Sequence, residues 1–397
     1  MVIGFDGSRA FVNKRTGTEN YSFQLLRALA RIDKKNNYII YTGNLVNSGD
    51  IRWPDNFTFK QISWPRFWTQ GGLALQSFKD SLNLLFIPAH TLPILRPTNL
   101  KTIITVHDLG AEYLPKLHQL RQLIYLKYIT KYQLRSATKL IAVSNATKED
   151  LIKRVGISPK KIAVIYEGYD NKLFKPIKGD TLVNSLIEFN LKPQSYFLFV
   201  GTVQPRKNLS SIIKAFGKLE SRVNPSTSLG TGSQESRKKR SRFSTLATSH
   251  LKLAIVGSKG WMSDDIYKLP KKLGIDHGVN FLGHVPDEKL PVLYSGALSL
   301  VFPSLFEGFG LPIIEAQACG CPVLTSNLSS MPEVAGKGAI LVDPYSMNDI
   351  VKGMSRVKSQ ESRVKIIKEG FENVSRFSWE KCAAQTLALF EEVISNK

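Results

Sequence analysis

Cysteine is scarce in this chain: three residues of 397, Cys319, Cys321 and Cys382. Three thiols build no disulfide framework, and Cys319-Gly-Cys321 lacks the paired Cys-x-x-Cys spacing of a zinc site. All three read as small residues of buried segments. Long apolar runs are missing as well. No stretch approaches the roughly 18 apolar residues of a membrane-spanning helix. The opening, Met1 to Gly7, is interrupted by Asp6 too soon for a secretory signal, so it reads as a first strand and the expected compartment is the cytoplasm. Acidic residues are few, 32 against 54 Lys and Arg, leaving a formal charge of +22. Asp-x-Asp does not occur, so nothing in the sequence suggests a catalytic metal.

The excess of positive charge implies an acidic partner, be it nucleic acid, an anionic membrane or a phosphorylated ligand, or else plain solubility charge. Part of it is local. From Arg222 to His250 there are six Lys or Arg and one Glu, in a polar, Gly/Ser-rich stretch that predicts a disordered basic insertion over 221–250. A second cluster lies between Lys116 and Lys139, with six Lys or Arg and no acid. Lys127, Lys131, Arg135 and Lys139 recur every four residues, which predicts a basic stripe on one helix face. Such a helix over 116–139 suits an anionic membrane surface. It equally suits a core helix with a solvated basic face.

Short apolar runs alternate with amphipathic stretches, the pattern of an α/β protein with parallel sheets. The expected strands are Val2–Asp6, Tyr38–Tyr41, Leu84–Ile87, Ile103–Val106, Leu140–Val143 and Ala163–Tyr166, then Tyr196–Val200, Leu253–Val256, Asn280–Leu282, Ser299–Phe302, Val323–Ser326 and Ala339–Val342. The two sets are separated by Asn171–Pro193, with its Pro176, Gly179 and Pro193. The expected domains are 1–178 with a terminal helix over 378–397, and 179–377. Each is about the size of one doubly wound unit.

Two segments carry chemistry. Gly201-Thr-Val-Gln-Pro-Arg-Lys-Asn208 joins the strand Tyr196–Val200 to a helix expected over Leu209–Leu219, with Asn208 as a candidate N-cap. The loop leaves the carboxyl end of a parallel strand, where ligands of open α/β sheets bind. A helix N-terminus favours anions, and Arg206 and Lys207 add two cations, chemistry suited to a diphosphate. The second segment, Pro303-Ser-Leu-Phe-Glu-Gly-Phe-Gly-Leu-Pro-Ile-Ile-Glu315, follows the strand Ser299–Phe302. Gly308 and Gly310 let backbone N–H groups approach a ligand closely. Glu307 and Glu315 are acceptors suited to sugar hydroxyls. Both carboxylates face the Arg206-Lys207 loop if the two strands are neighbours.

Glu307-Gly-Phe-Gly-Leu-Pro-Ile-Ile-Glu315-Ala-Gln-Ala-Cys-Gly-Cys-Pro-Val resembles the Glu-x7-Glu signature of the retaining glycosyltransferases of family four. Gly201-Thr through Asn208, Val143-Ser-Asn-Ala-Thr-Lys, Val164-Ile-Tyr-Glu-Gly-Tyr-Asp170, Phe281-Leu-Gly-His-Val-Pro286, Met331-Pro-Glu-Val334 and Phe377-Ser-Trp-Glu380 match in order and spacing. The resemblance covers nearly the whole chain outside 221–250. It implies a GT-B fold, two Rossmann-like doubly wound domains facing an interdomain cleft. It implies that Gly201, Arg206 and Lys207 hold the donor diphosphate and that Glu307 contacts the transferred sugar, beside the backbone of Gly308, Phe309, Gly310 and Leu311. Glu315 would hold the ribose hydroxyls, His107 would lie near sugar and acceptor, and Gly17 would let the donor approach the first helix. Two positions depart from the family pattern. Thr202 stands where Arg is common, and Glu167 where Asn is common before Gly168.

The expected reaction is transfer of a hexose from a nucleoside diphosphate sugar, with retention and without a metal or other cofactor, to a glycan or lipid-linked acceptor. The segments Arg15-Thr-Gly-Thr-Glu-Asn20 and Arg206-Lys207-Asn208 look most like mannosyltransferases using GDP-mannose in polysaccharide synthesis. UDP-sugar transferases share them, and a nucleotide-sugar epimerase can use the same fold. A glycosidase fits poorly, because its two carboxylates flank the scissile bond and not a phosphate loop. No nucleic-acid motif accompanies the charge, and no nucleic-acid partner is expected.

Overall fold

A computed structural model describes residues 1–12, 15–43, 52–64, 66–89, 91–109, 129–223 and 251–395. The chain divides into two compact units. The first comprises Met1–Asp170, Glu307–Leu311 and Phe377–Lys397, the second Asn171–Phe306 and Pro312–Arg376.

The sheet of the first unit has seven strands in parallel: β1 (Val2–Asp6), β2 (Asn37–Thr42), β3 (Phe57–Gln61), β4 (Leu84–Ile87), β5 (Lys101–Val106), β6 (Lys139–Ala142) and β7 (Ile162–Val164), in the order β3-β2-β1-β4-β5-β6-β7. Helices α1 (Gly17–Ile32), α2 (Ala74–Lys79), α3 (Lys131–Ser136) and α4 (Asn145–Asp150) lie between them. Central strands of a parallel sheet are covered on both faces, so they read as unbroken apolar runs. Leu84-Leu-Phe-Ile87 is fully buried. The period of two then divides the residues between faces. Phe86 and Ile103 join one core with Tyr21, Leu25, Trp379 and Phe390, while Leu85, Ile87 and Ile104 join the other with Leu134 and Leu151.

The second unit has a six-stranded parallel sheet: β8 (Tyr196–Val200), β9 (Lys252–Val256), β10 (Val279–Gly283), β11 (Ser299–Phe302), β12 (Val323–Ser326) and β13 (Ala339–Val342), in the order β10-β9-β8-β11-β12-β13. Helices α5 (Gly179–Ile187), α6 (Leu209–Val223), α7 (Asp264–Lys272), α8 (Leu290–Gly296), α9 (Leu311–Ala318), α10 (Met331–Ala335), α11 (Met347–Arg356) and α12 (Gln360–Val374) lie along this part of the chain. The chain returns to the first unit in α13 (Trp379–Ser395), which packs along α1. A Cβ at Gly168 would come within 2.2 Å of the Trp379 amide nitrogen, so glycine is required where α13 begins.

In both sheets the strand order turns outward in two directions from one pair, β1 and β4 in the first and β8 and β11 in the second. Loops at the carboxyl ends of such a pair diverge and leave a crevice, the usual ligand position of doubly wound sheets.

Each strand read from the sequence is present within a few residues of its expected ends, and β3 is additional. Phe57-Thr-Phe-Lys-Gln61 is an edge strand in which only Phe57 is buried, so it carries no continuous apolar signal. The basic stripe is corrected. Helix α3 ends at Ser136, the Thr138 amide pairs with Thr102 O, and Lys139 opens β6. The Arg135 guanidinium donates to Val155 O, and Lys139 pairs with Glu392 at 2.8 Å. Arg135 and Lys139 therefore tie the fold together and do not share a solvent-facing helical stripe. Lys127 and the rest of 110–128 lie outside the described residues. Of the expected insertion over 221–250, Ser221 to Val223 belong to helix α6, and 224–250 lie outside the described residues. The three cysteines are free and buried, and burial pushes each thiol up. Among the described residues no helix is long and apolar enough to cross a membrane.

Candidate active site

Strands β8 and β11 pair directly, Ser299 with Phe197 and Leu300 with Leu198. The two chemical loops therefore leave neighbouring strands. After β8 the chain runs through Gly201, at φ 148°, into one 3-10 turn, Pro205–Lys207. The turn is fastened to the loop after β11: the Leu305 amide donates to Arg206 O at 3.0 Å, and the Arg206 guanidinium donates to Phe306 O at 2.8 Å. Lys207 lies with its ammonium 5.0 Å from the centre of the Phe302 ring, a cation–π approach that holds it at the end of β11. Both cations thus stand at the switch point of the second sheet.

Asn208 does not cap α6 with its side chain. It takes a left-handed φ of 61°, and its amide nitrogen donates to Pro303 O at 3.1 Å and Pro344 O at 2.7 Å. The expected acceptor is thus a donor, because the buried carbonyls after β11 and β13 need partners more than the helix end does. A further element escaped the sequence reading, the loop Gly257-Ser-Lys-Gly260 after β9. The Val203 amide donates to Ser258 O at 3.0 Å and the Gly260 amide to Val203 O at 3.0 Å. A Cβ at Gly257 would fall 1.9 Å from Gly201 O. Two glycines here are the only trace such a backbone clasp leaves in a sequence.

Glu315 lies on α9, half-buried, and accepts a hydrogen bond from the Tyr294 hydroxyl on α8 at 2.9 Å. Burial raises its pKa to about 7, the Tyr294 hydrogen bond opposes that rise, and Asp287 adds to it. Tyr294 is fully buried and was not singled out by the sequence reading.

In the first unit, Glu307–Leu311 rests on the ends of β5 and β6. Gly308 O accepts from the Ser144 hydroxyl at 2.7 Å and lies 3.3 Å from the Thr147 hydroxyl. A Cβ at Gly308 would stand 1.5 Å from His107 O, so the close approach inferred for this glycine is to the chain's own backbone. Phe309 is buried against Tyr166 and Phe377, with ring centres 6.2 and 5.6 Å away. Glu307 is 7% exposed, and Gly310 has φ 113°. His107 follows β5. Its Nδ1 lies 3.1 Å from a Glu167 carboxylate oxygen and its Nε2 2.9 Å from Pro88 O. Burial works against the charged ring, but the hydrogen bond and charge of Glu167, with Pro88 O and Asp108, outweigh it and hold the pKa above the usual histidine range. Gly17 opens α1, after a capping box in which Thr16 and Glu19 exchange hydrogen bonds, and nothing lies within 4 Å of where its Cβ would be.

Residues 187–373 match the family model of the glycosyl transferases group 1, and residues 15–173 match that of glycosyltransferase family 4. The chain belongs to the family-four glycosyltransferases. The enzyme is 28% identical over 292 residues to O-antigen chain mannosyltransferase B of Escherichia coli, across 73% of this chain and 70% of that one. It is 28% identical over 289 residues to O-antigen chain mannosyltransferase RfbU of Salmonella typhimurium, where the matched stretch spans 73% of this chain and 66% of the relative, just under two thirds. Its fold is similar to that of sucrose-phosphate synthase from Thermosynechococcus elongatus, with a TM-score of 0.74, 20% identity and all of both chains covered. The two parallel-sheet domains of this glycosyltransferase are thus those of the GT-B fold, and the enzyme is a hexosyltransferase.

Proposed function

We propose that this glycosyltransferase moves a mannosyl residue from GDP-mannose, with retention at the anomeric carbon, to a glycan or lipid-linked acceptor in polysaccharide synthesis. The observation that carries the reading is the pair of cations, Arg206 and Lys207, fastened at the β8–β11 switch point where a diphosphate would lie. The likeness to two O-antigen mannosyltransferases supports mannose.

The transition state gains positive charge on the sugar and negative charge on the departing diphosphate. Fixed cations at that diphosphate stabilise it more than the ground state, and they supply the charge that a metal supplies in other transferases. The Glu315 carboxylate accepts from the ribose hydroxyls. Glu307 accepts from hydroxyls of the transferred sugar, beside the backbone of Gly308 to Leu311. In the first unit Gly17 lets the donor sugar approach α1, and His107 lies near the transferred sugar and the acceptor. A glycosidase or an epimerase would not need the acceptor.

The test is incubation of the purified enzyme in EDTA with GDP-mannose and a polyprenyl-diphosphate-linked oligosaccharide, followed by proton NMR of the anomeric region. An α-mannosylated product formed with stoichiometric GDP supports the reading. A β-linked product, or GDP release only when a divalent metal is added, contradicts it.

A further inference from the structure

The residue before Gly168 faces His107. We propose that Glu167 is a positioning residue for the transfer reaction: it locks His107 as an imidazolium between its own carboxylate and Pro88 O, and so fixes the His107 backbone against Gly308.

The hydrogen-bond inventory carries the inference. A carbonyl oxygen only accepts, so the Nε2 that lies 2.9 Å from Pro88 O bears a proton. Nδ1 lies 3.1 Å from a carboxylate oxygen, so a proton belongs to that contact as well. Histidine and carboxylate are 8% and 4% exposed, so each ring nitrogen finds its partner in the chain and not in bulk water. A ring whose two nitrogens both donate to the chain offers no lone pair and is no general base. What it does is hold loops. Pro88 follows β4, His107 follows β5 and Glu167 follows β7, so one ring joins three strand ends of the first sheet. The joined His107 carbonyl is the atom that a Cβ at Gly308 would meet, and the Thr147 hydroxyl lies 3.4 Å from it.

Tyr21, Cys382 and Asp108 are the other titratable groups that face this pair. Tyr21 of α1 packs edge-on against the imidazole, with centres 4.6 Å apart, and its phenol is paired with the Thr105 hydroxyl and pushed well above its usual range by burial. Cys382 of α13 lies close to Tyr21 and Glu167, with its thiol pushed up by burial. Asp108 adds a further negative charge beside the ring.

The kinetic half of this inference rests on the proposed reaction, and the spectroscopic half does not. The first experiment is nitrogen NMR of the full chain with labelled histidine, using H107Q to assign one of the six signals. The expected result is that both ring nitrogens of His107 are protonated at pH 7 in the unaltered protein. In E167Q, Nδ1 loses its proton at that pH. The second is kcat at saturating donor against pH. The unaltered enzyme keeps kcat as pH falls from 7 to 6. E167Q loses kcat several-fold at pH 7 with donor KM within about two-fold, and acidification restores part of it. A neutral His107 ring in the unaltered protein at pH 7 overturns the proposal without reference to any substrate, and it needs no variant of Glu167. An E167Q pH profile that superimposes on the original overturns it too. A locked imidazolium in a protein that transfers nothing from GDP-mannose would sink the donor assignment and leave the locked ring standing.

Discussion

The Tyr294 hydroxyl donates to the Glu315 carboxylate at 2.9 Å, from α8 across to α9. Burial raises the Glu315 pKa to about 7, and this hydrogen bond opposes the rise by favouring the ionised carboxylate. Ribose hydroxyls donate to a carboxylate and not to a neutral carboxyl oxygen with equal strength.

Nucleotide affinity is therefore expected to rise with pH through the Glu315 titration. The Kd for the nucleoside diphosphate should fall between pH 6 and pH 8. Y294F removes the donor that favours the charged form, so its titration should move to higher pH and its Kd at pH 7 should increase. Calorimetry at several pH values checks both. A Kd independent of pH in both proteins contradicts a ribose-binding carboxylate at this position.

Lys207 is expected to matter to the chemical step. A charge-assisted hydrogen bond is worth about 1.5–3 kcal/mol, so K207A should lower kcat/KM about 10- to 100-fold. The same loss is expected with and without EDTA. Steady-state kinetics with GDP-mannose is the measurement, and a loss rescued by magnesium would show that the charge is supplied differently.

Gly308 leaves no room for a side chain, because the neighbour a Cβ would meet is the His107 backbone. G308A forces Glu307–Leu311 away from the ends of β5 and β6. Displacements near 1 Å at a reacting centre cost about a hundred-fold in rate, and a fall of that order in kcat is expected with far-ultraviolet circular dichroism unchanged. A fully active G308A variant would remove this loop from the reaction.

The His107–Glu167 pair also makes a stability prediction. The folded pKa of His107 lies above its unfolded value, so its contribution is complete below the unfolded pKa of about 6.5 and fades as pH rises through the folded value. E167Q weakens a hydrogen bond to a charged group, worth about 1.5–3 kcal/mol. Its deficit in denaturant unfolding should be largest near pH 6 and should shrink as pH rises. A deficit that grows with pH contradicts the charged ring.

Much of this was legible in the sequence because the features are local and apolar. Leu84-Leu-Phe-Ile87 and Ser299-Leu-Val-Phe302 announce buried parallel strands by composition alone. The loops carrying Arg206, Lys207, Glu307 and Glu315 were legible because strand, glycine and helix follow one another along the chain. What was not legible depends on pairs far apart in it. His107 and Glu167 are separated by 60 residues and Tyr294 and Glu315 by 21. Asn208 looks like a cap in its own neighbourhood and becomes a donor only because Pro303 and Pro344 are folded beside it. The four-residue spacing of Lys127, Lys131, Arg135 and Lys139 suggested one helix face, but pairing of Thr138 with Thr102 ends the helix before Lys139.

The central claim is that Arg206 and Lys207 stand at a site for a guanosine diphosphate sugar. Calorimetric titration of the purified enzyme with GDP and with UDP, in EDTA, tests it most directly. Tighter binding of GDP, lost in the double variant with Arg206 and Lys207 changed to Ala, is the expected result. Tighter binding of UDP contradicts the donor assignment. Binding of neither nucleotide contradicts the site itself.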